Sequence, residues 1–595
     1  MHSYQTHPDD YSPKFVAIGI DFGTTYSGVS WARSTNPKEV NSITGWASED
    51  HRNQNEVQVP TLYDIDSGKW GFEITPDMKP MKWFKLLLLK NEDIAKEEIR
   101  NAPQLQQARD ILSSSLKRLT AVQVVGYYLK NVWDHTYTAL KSMLDVDNLP
   151  LRVAITIPAI WPAYAQSAMR EAAKIAGITK YRDIGETTLI LVQEPEAAAL
   201  ASLFQRNSSP EIQQDESFVV CDAGGGTVDV ISYKVVSERP FKLEECVPGT
   251  GKLAGAFQID QAFESYVRGK AKLKISALKD FDYNQFILRE WELGAKRSFS
   301  ISNAQENYHL HPPSKAYGTL ARLRHKDTLI ISNEEMTGFF NRSLTGIRTL
   351  VGNQCKEVEE ETGKPPKVKI LLVGGLGSSE YVYDKLTEIF SNKVLRPSDG
   401  WSAVARGAVL RLLQENISSQ PVHSPEDQEV LRILPDVISR RSRYHYGIVV
   451  STSIKGLDLE PEDVITINPE GFERVSRMRW YLLKGEKIEK KSRIPFFYSH
   501  YYRSQDIPEK CAFKIVYSAE DPAPKRSNSA VLSLCRIECD WDKPITEWQP
   551  VGDPSEGWRK HNDLELTMGL QGEPKWEVRV GSNKREHKFD IEYAR

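Results

Sequence analysis

Residues 16–30 read Val-Ala-Ile-Gly-Ile-Asp-Phe-Gly-Thr-Thr-Tyr-Ser-Gly-Val-Ser, and residues 218–232 read Phe-Val-Val-Cys-Asp-Ala-Gly-Gly-Gly-Thr-Val-Asp-Val-Ile-Ser. Each is an apolar strand closing on an Asp, a turn of Gly and Thr, and a second apolar strand. The pattern predicts two hairpins of one design within a single chain. Gly23 and the run Gly224, Gly225 and Gly226 admit backbone angles that let successive N–H groups converge on an anion. Thr24, Thr25 and Thr227 add hydroxyl donors at the same places. Asp21 and Asp222, at the ends of the first strands, make sense beside a phosphate only with a cation between. Mg2+ suits them, because it is held by one or two carboxylates together with phosphate oxygens and water. One glycine turn alone also serves an ordinary hairpin; the matched pair points to a nucleotide held between facing turns.

Bulk properties bound what surrounds these hairpins. A chain of 595 residues implies several domains, at roughly 100–200 residues each. With 77 Lys+Arg against 80 Asp+Glu, net −3, there is no global field to draw in nucleic acid. No apolar run reaches the roughly 20 residues a bilayer span requires, and residues 1–13 are polar, which predicts a disordered tail. Six cysteines in so long a chain do not form a disulfide framework. The expectation is a soluble cytoplasmic protein with neither a nucleic-acid nor a membrane partner.

Strands and helices alternate through residues 14–415, which predicts an α/β domain. Leu151–Ile157 reads as a strand stopped by Pro158, Ala163–Ala176 as a helix ended by Gly177, and Leu189–Gln193 as a strand followed by an Ala-rich helix opening at Glu194-Pro195. Residues 257–300 read as helical, Val368–Val373 as a buried strand before a glycine turn, and Trp401–Leu413 as a last helix. Residues 416–438 read as a linker. Beyond it short strand-like runs recur, such as Tyr446–Thr452, Ala512–Tyr517, Ala530–Ile537, Leu564–Met568 and Trp576–Val580. They predict a β-sandwich-like domain over 439–595.

The motifs taken together resemble the ATPase domain of the 70-kDa heat-shock chaperones, within the actin-like ATPase superfamily. Residues 18–27 resemble its first phosphate loop, 192–199 its first connecting motif and 222–229 its second phosphate loop. Residues 295–300 are similar to its adenine-side helix, 372–378 to its adenosine motif and 405–408 to its second connecting helix. The resemblance covers about 14–415. It implies a two-lobed actin-like fold with a duplicated ribonuclease-H-like core, and ATP or ADP with Mg2+ in the cleft. It implies that Asp21, Glu194, Asp222 and Asp229 act around the metal, with Asp21, Glu194 and Asp222 holding it mainly through water. Thr24, Thr25, Tyr26 and residues 224–227 would grip phosphates, with Gly23 in the first turn and Thr227 in a catalytic place. Lys296, Arg297, Ser300, Gly374, Gly375 and Ser378 would flank adenosine. The family also uses a lysine near the γ-phosphate; Lys85 is the candidate and Lys82 the rival.

The C-terminal third resembles the family's substrate domain more faintly. On this resemblance no helical lid is expected within 439–595, and the apolar interdomain linker has only an echo at residues 431–437, interrupted by Pro435. These departures resemble the divergent branch typified by heat-shock 70 kDa protein 12. The implied function is a chaperone-like nucleotide switch with protein or peptide clients. The alternatives are an ATP-binding scaffold with little hydrolysis and a small-molecule kinase of the same superfamily; no Gly-Lys-Ser/Thr of a P-loop enzyme occurs. Cys511, Cys535 and Cys539 lack the Cys-x-x-Cys spacing of zinc sites and read as buried thiols. His309 and His311 read as surface residues without partners. The aromatic run Phe496–Tyr502 reads either as a surface for an extended peptide or as sandwich core and strand edge.

Overall fold

The computed structural model describes residues 15–593 apart from 49–54, 92–93, 95–101, 160, 206–211, 239–240, 270–272, 276–277, 303–306, 318–327, 364–369, 392, 398, 419–433, 490–492, 571–573 and 582–591. The expected N-terminal tail lies outside the described residues. So does most of the expected linker, whose first residues instead continue the helix Ala403–Ser418. The chain divides into two compact units, Met1–Asp436 and Val437–Arg595, and mixes helices with several sheets.

The first unit holds strands β1 (Val16–Phe22), β2 (Tyr26–Arg33), β3 (Asn41–Ser42), β4 (Gln58–Pro60), β5 (Leu151–Ile157), β6 (Thr188–Gln193), β7 (Ser217–Ala223), β8 (Val228–Glu238), β9 (Phe241–Glu245), β10 (Thr250–Lys252), β11 (Asn307–Leu310), β12 (Leu329–Ser332), β13 (Ile370–Val373) and β14 (Val394–Leu395). One sheet runs β3-β2-β1-β5-β6; another runs β14-β13-β7-β8-β9. Their connectivity matches. In each, an antiparallel hairpin (β1–β2, β7–β8) is extended by parallel strands on the side of its first member (β5 and β6, β13 and β14). The central strands β1 and β7 are buried on both faces, as a parallel strand covered by helices must be, which is why they read as near-continuous apolar runs.

Each sheet packs one face on a core of its own. Val16, Ile18, Ile20 and Phe22 join Tyr128 and Val132 of the helix Ala121–Met143. Val219, Cys221 and Ala223 join Phe263, Phe340 and Ile347 of two other helices. Because side chains alternate along a strand, Gly19 and Asp21 stand on the other face of β1, and Val220 and Asp222 on the other face of β7. Those second faces are covered by the helices Glu194–Gln205 and Ala403–Ser418, which cross each other. The crossing is made main chain to main chain. A Cβ on Gly407 would overlap Ala197 O, and one on Gly19 would overlap Ala405 O. Arg411 Nε lies 3.5 Å from Glu196 Oε1 at the same crossing, both buried.

The expected helix over 257–300 is broken. Phe257–Gly269 is α-helical, then Asp280–Phe286 leads into a π-helical stretch, Ile287–Ala295, and a last turn at Lys296–Ser298. Wide π turns of this kind re-aim the residues that follow them. His309 and His311 are exposed, but His311 Nδ1 lies 3.2 Å from Glu290 Oε2, so the expectation that it lacks a partner is corrected.

The described residues of the second unit are strands with two short 3-10 turns. One sheet joins β16 (His445–Ser453), β17 (Thr466–Ile467), β18 (Glu473–Leu482), β21 (Lys510–Ser518), β22 (Leu532–Asp540) and β26 (Glu592–Tyr593). The other joins β20 (Arg493–Arg503), β23 (Gln549–Pro550), β24 (Trp558–Leu570) and β25 (Pro574–Val580). β15 (Asp436–Arg441) pairs with β19 (Lys487–Glu489). Cys511, Cys535 and Cys539 are buried free thiols, with Cys511 directly across from Cys539. Tyr481 packs edge-on to Phe496 and Trp576 between the sheets, so alternate residues of the aromatic run of β20 are half-buried, while Phe497 is 66% exposed.

Candidate functional site

The two glycine turns face each other. A Cβ on Gly225 would overlap Thr25 Oγ1, and one on Gly226 would stand 3.0 Å from the Thr24 side chain. Only glycine fits the second turn at this separation. Each turn is braced from behind. In the first, Thr61 Oγ1 donates to Gly23 O (2.9 Å), Ser27 Oγ is 2.9 Å from the same hydroxyl, and Thr61 N donates to Thr25 O (2.8 Å). In the second, Gly224 O, Gly225 O and Gly226 O accept the main-chain N–H groups of Ala256, Phe257 and Gly255 at 3.0–3.2 Å. These carbonyls are therefore engaged by the start of a helix and do not repel an anion lodged in the turn.

Beneath the turns four carboxylates and one ammonium are brought together; Lys85, Glu194, Asp222 and Asp229 are buried and Asp21 is half-buried. Asp21 accepts from Thr156 Oγ1 of β5 at 3.2 Å. Asp222 and Asp229 are directly opposed across β7 and β8, a like-charge pair that is unfavourable unless something neutralises it. Gly374 (φ +86) is a glycine because a Cβ there would overlap Asp222 Oδ1. Glu194 begins its helix directly after β6 and accepts from Lys85 Nζ at 2.6 Å; the two side chains are 8% and 2% exposed. Lys85 follows Trp83, a non-glycine residue in the left-handed region (φ 61). Its ammonium also lies 5.6 Å from the Phe22 ring and 5.4 Å from that of Trp161. Of the two candidate lysines, the structure ties Lys85 into the carboxylate cluster. Lys82 instead acts electrostatically on Glu264 and Glu292.

One ammonium cannot balance three buried carboxylates and a half-buried fourth. Burial first, then the charge of Glu194, pushes Asp21 and Asp229 up to about 7, against the pull of Lys85 and of hydrogen bonds from Thr156 and Thr227 respectively. Burial and the surrounding carboxylates Glu194, Asp21 and Asp229 push Asp222 well above the ordinary range. Asp229 Oδ1 and Gln193 Oε1 are buried without a hydrogen-bond partner. Carboxylates whose ionisation is resisted in common, beside a buried oxygen without a partner, could take a hard divalent cation through bound water.

The residues expected around adenosine gather beside this cluster in part. Gly374 and Gly375 follow β13, whose turn is pinned by Leu376 N and Gly377 N donating to Ala223 O (2.8 and 3.0 Å). Ser378 Oγ donates back to Gly374 O (3.0 Å), and Ser300 Oγ is buried 3.3 Å from Ser302 Oγ. Lys296 Nζ is bound to Asp260 Oδ1 (2.7 Å), which also accepts from Trp291 Nε1 (2.8 Å). Burial opposes the Lys296 charge, but Asp260 and Glu292 hold its pKa above the ordinary value. The Tyr26 hydroxyl has its pKa raised by burial and by Glu292, against the pull of the nearby Arg297 and Lys296 charges. The sequence reading missed Thr156, Thr61, Gln193, Trp161 and Trp401. Trp401 touches Tyr26, Arg297 and the Gly375 position. Its only signal in the sequence is a lone Trp at a helix start.

Within the second unit, a cavity of about 1260 Å3 is lined by Phe472, Trp480, Phe497, Tyr501, Lys514 and Lys560 among others. No group of three or more His, Cys, Asp or Glu placed to bind a metal outright is found among the described residues, and no described helix is long and apolar enough to cross a membrane.

Against known proteins, the family model described as Hsp70 protein matches residues 101–423. A chaperone protein HscA homolog of Acinetobacter baumannii (strain AYE) is 25% identical over 401 residues, covering 66% of this chain and 57% of that protein. Heat shock 70 kDa protein 12A of Mus musculus is 24% identical over 306 residues, covering 42% of this chain and 44% of its own. The HscA homolog of Rickettsia rickettsii (strain Sheila Smith) is 25% identical over 494 residues, covering 80% and 69%. The chain thus spans about half the length of the first two relatives (57% and 44%). The family match takes in the second glycine turn, the Glu194 helix, the glycine motif after β13 and the crossing helix Ala403–Ser418, and on that footing the chain belongs to the Hsp70 protein family.

Proposed function

We propose that the first unit is a two-lobed, actin-like ATPase that binds ATP with Mg2+ between its glycine turns and hydrolyses it as the switch of a chaperone-type protein. The observation that carries this reading is the meeting of the Gly224–Gly226 turn with Thr24 and Thr25 directly above a largely buried cluster of Asp21, Glu194, Asp222 and Asp229. Asp21, Glu194 and Asp222 would hold the cation mainly through water, and the cation would neutralise phosphate charge. The chain's own part is positioning and charge placement, which is most of what phosphoryl transfer to water requires. Main-chain N–H groups of both turns and the hydroxyls of Thr24, Thr25 and Thr227 bind phosphate oxygens. Lys85 Nζ offers a positive charge at the γ end. Asp229, with a pKa held near 7 and an unused Oδ1, can take a proton from water at working pH. The second unit, with its aromatic cavity, is the proposed seat of protein or peptide clients.

Calorimetry of the full chain with ATP, ADP and Mg2+, beside a steady-state phosphate assay, tests the reading. Saturable Mg2+-dependent binding with phosphate release, both lost in Asp222→Asn, is the expected result. Binding without release would leave a nucleotide-dependent scaffold, and no binding would overturn the proposal. A second reading as scaffold is favoured by one contact, the 2.6 Å bond that engages Lys85 with Glu194.

A further inference from the structure

Trp401 precedes the crossing helix Ala403–Ser418 and is not among the buried residues of the core on either sheet. It is only half-buried. Its main-chain O accepts from Gln58 Nε2 at 2.9 Å, which fixes its backbone against β4. Its ring lies over Gly375, where a Cβ would stand 3.3 Å from Cζ3. Tyr26 meets the indole edge-on, with centroids 6.3 Å apart at 90°. Arg297 places its guanidinium carbon 5.5 Å from the indole centroid. A large aromatic face left partly in water, with glycine on one side and a planar cation on another, is built to take a flat partner.

We propose that Trp401 is the residue that selects the base of the nucleotide, by stacking a purine on its indole in the place Arg297 now covers. The inference rests on the reading of the cleft as an ATP site and deepens it. At 5.5 Å the guanidinium already occupies the ring face, so the base enters by parting Arg297 from Trp401. The exchange favours the base, because an aromatic–base stack outweighs a solvent-exposed cation–π contact. A purine is preferred to a pyrimidine because it offers the larger π-face. The positive charge of Arg297 also acts on Tyr26, the residue directly after the first glycine turn, so arrival of the base is felt at the phosphate end.

The test is calorimetric titration of the full chain and of Trp401→Ala, Trp401→Phe and Trp401→Leu with Mg-ATP, Mg-CTP and Mg-tripolyphosphate. Trp401→Ala is expected to weaken ATP by about tenfold, to flatten the preference for ATP over CTP and to leave tripolyphosphate unchanged. Phe should restore most of the loss and Leu, which keeps bulk without a π-face, should not. Unchanged ATP affinity in Trp401→Ala, or an equal loss for tripolyphosphate, overturns the proposal. If the alanine variant does not fold, equal ATP affinity of the Phe and Leu variants overturns it in the same way. Wild-type chain that binds tripolyphosphate but does not distinguish ATP from CTP sinks the base-stacking role alone. Wild-type chain that binds none of the three sinks the cleft reading as well.

Discussion

The hairpins β1–β2 and β7–β8 share a strand pattern, a place in their sheets and an Asp at the mouth, yet they are held differently. The first turn is propped mainly by side chains, through the Ser27, Thr61 and Gly23 relay, with one main-chain bond from Thr61 N to Thr25 O. The second is propped by main chain, its three glycine carbonyls bound to residues 255–257. Their charges differ as well. The first hairpin contributes a single carboxylate, Asp21, eased by Thr156 and Lys85. The second contributes the opposed pair Asp222 and Asp229, with one oxygen left unused. Two hairpins of one design have therefore divided the labour. One copy carries adjustable side-chain support, and the other combines a rigid glycine turn with most of the buried negative charge.

The largest effect expected from breaking this arrangement is at Lys85, the cation that serves both sides. Lys85→Ala leaves Glu194 buried without its partner and should lower stability by about 3–5 kcal/mol in denaturant unfolding. Adding Glu194→Gln should recover a large part, and a strictly additive double variant would mean that the ion pair is not formed. Next is the contact between the turns. Gly225→Ala should cost about 1–3 kcal/mol by overpacking, and Thr25→Ala in the same chain should return at least half of it. Independent effects in that double-mutant cycle would show that the turns do not face each other.

Asp21 and Asp229 have folded-state pKa values of about 7 against an ordinary 3.8. The folded chain keeps protons that the unfolded chain has released, so this contribution is fully present below pH 4 and lost as pH rises to about 7. The thermal midpoint of the ligand-free chain should fall across that window and level off above it. Asp229→Asn should flatten the profile and raise the midpoint at pH 8 by a few degrees, at about 2–4 °C per kcal/mol. A midpoint that rises from pH 5 to 8 would refute the buried-proton picture. The smallest effect is at the side-chain prop. Ser27→Ala should cost about 0.5–1.5 kcal/mol, read as a shift in the urea midpoint with unchanged slope.

What could be read from residues alone follows from what each feature depends on. Asp21, Asp222 and the glycine turns were legible because a strand–Asp–Gly pattern fixes local geometry, and its repetition fixes a relation between copies. Glu194 and Lys85 were legible only through the family resemblance, since 109 positions separate them along the chain. Trp401, Thr156 and Gln193 were illegible because their positions depend on how distant strands and helices meet. The π turn at Ile287–Ala295 was missed for a related reason. Its periodicity still reads as helix, and only the main-chain hydrogen bonds distinguish the wider turn. The aromatic run in β20 left two readings open, a peptide surface or sandwich core and strand edge, and the structure alternates half-buried and exposed residues along most of it.

The crossing of Glu194–Gln205 over Ala403–Ser418 has a mechanical consequence. Where Gly407 meets Ala197 and Gly19 meets Ala405, backbone rests on backbone, so no rotamer is available there to soak up displacement. A side chain added at either glycine would therefore push the helix Ala403–Ser418 off its neighbour instead of being absorbed by a rotamer change.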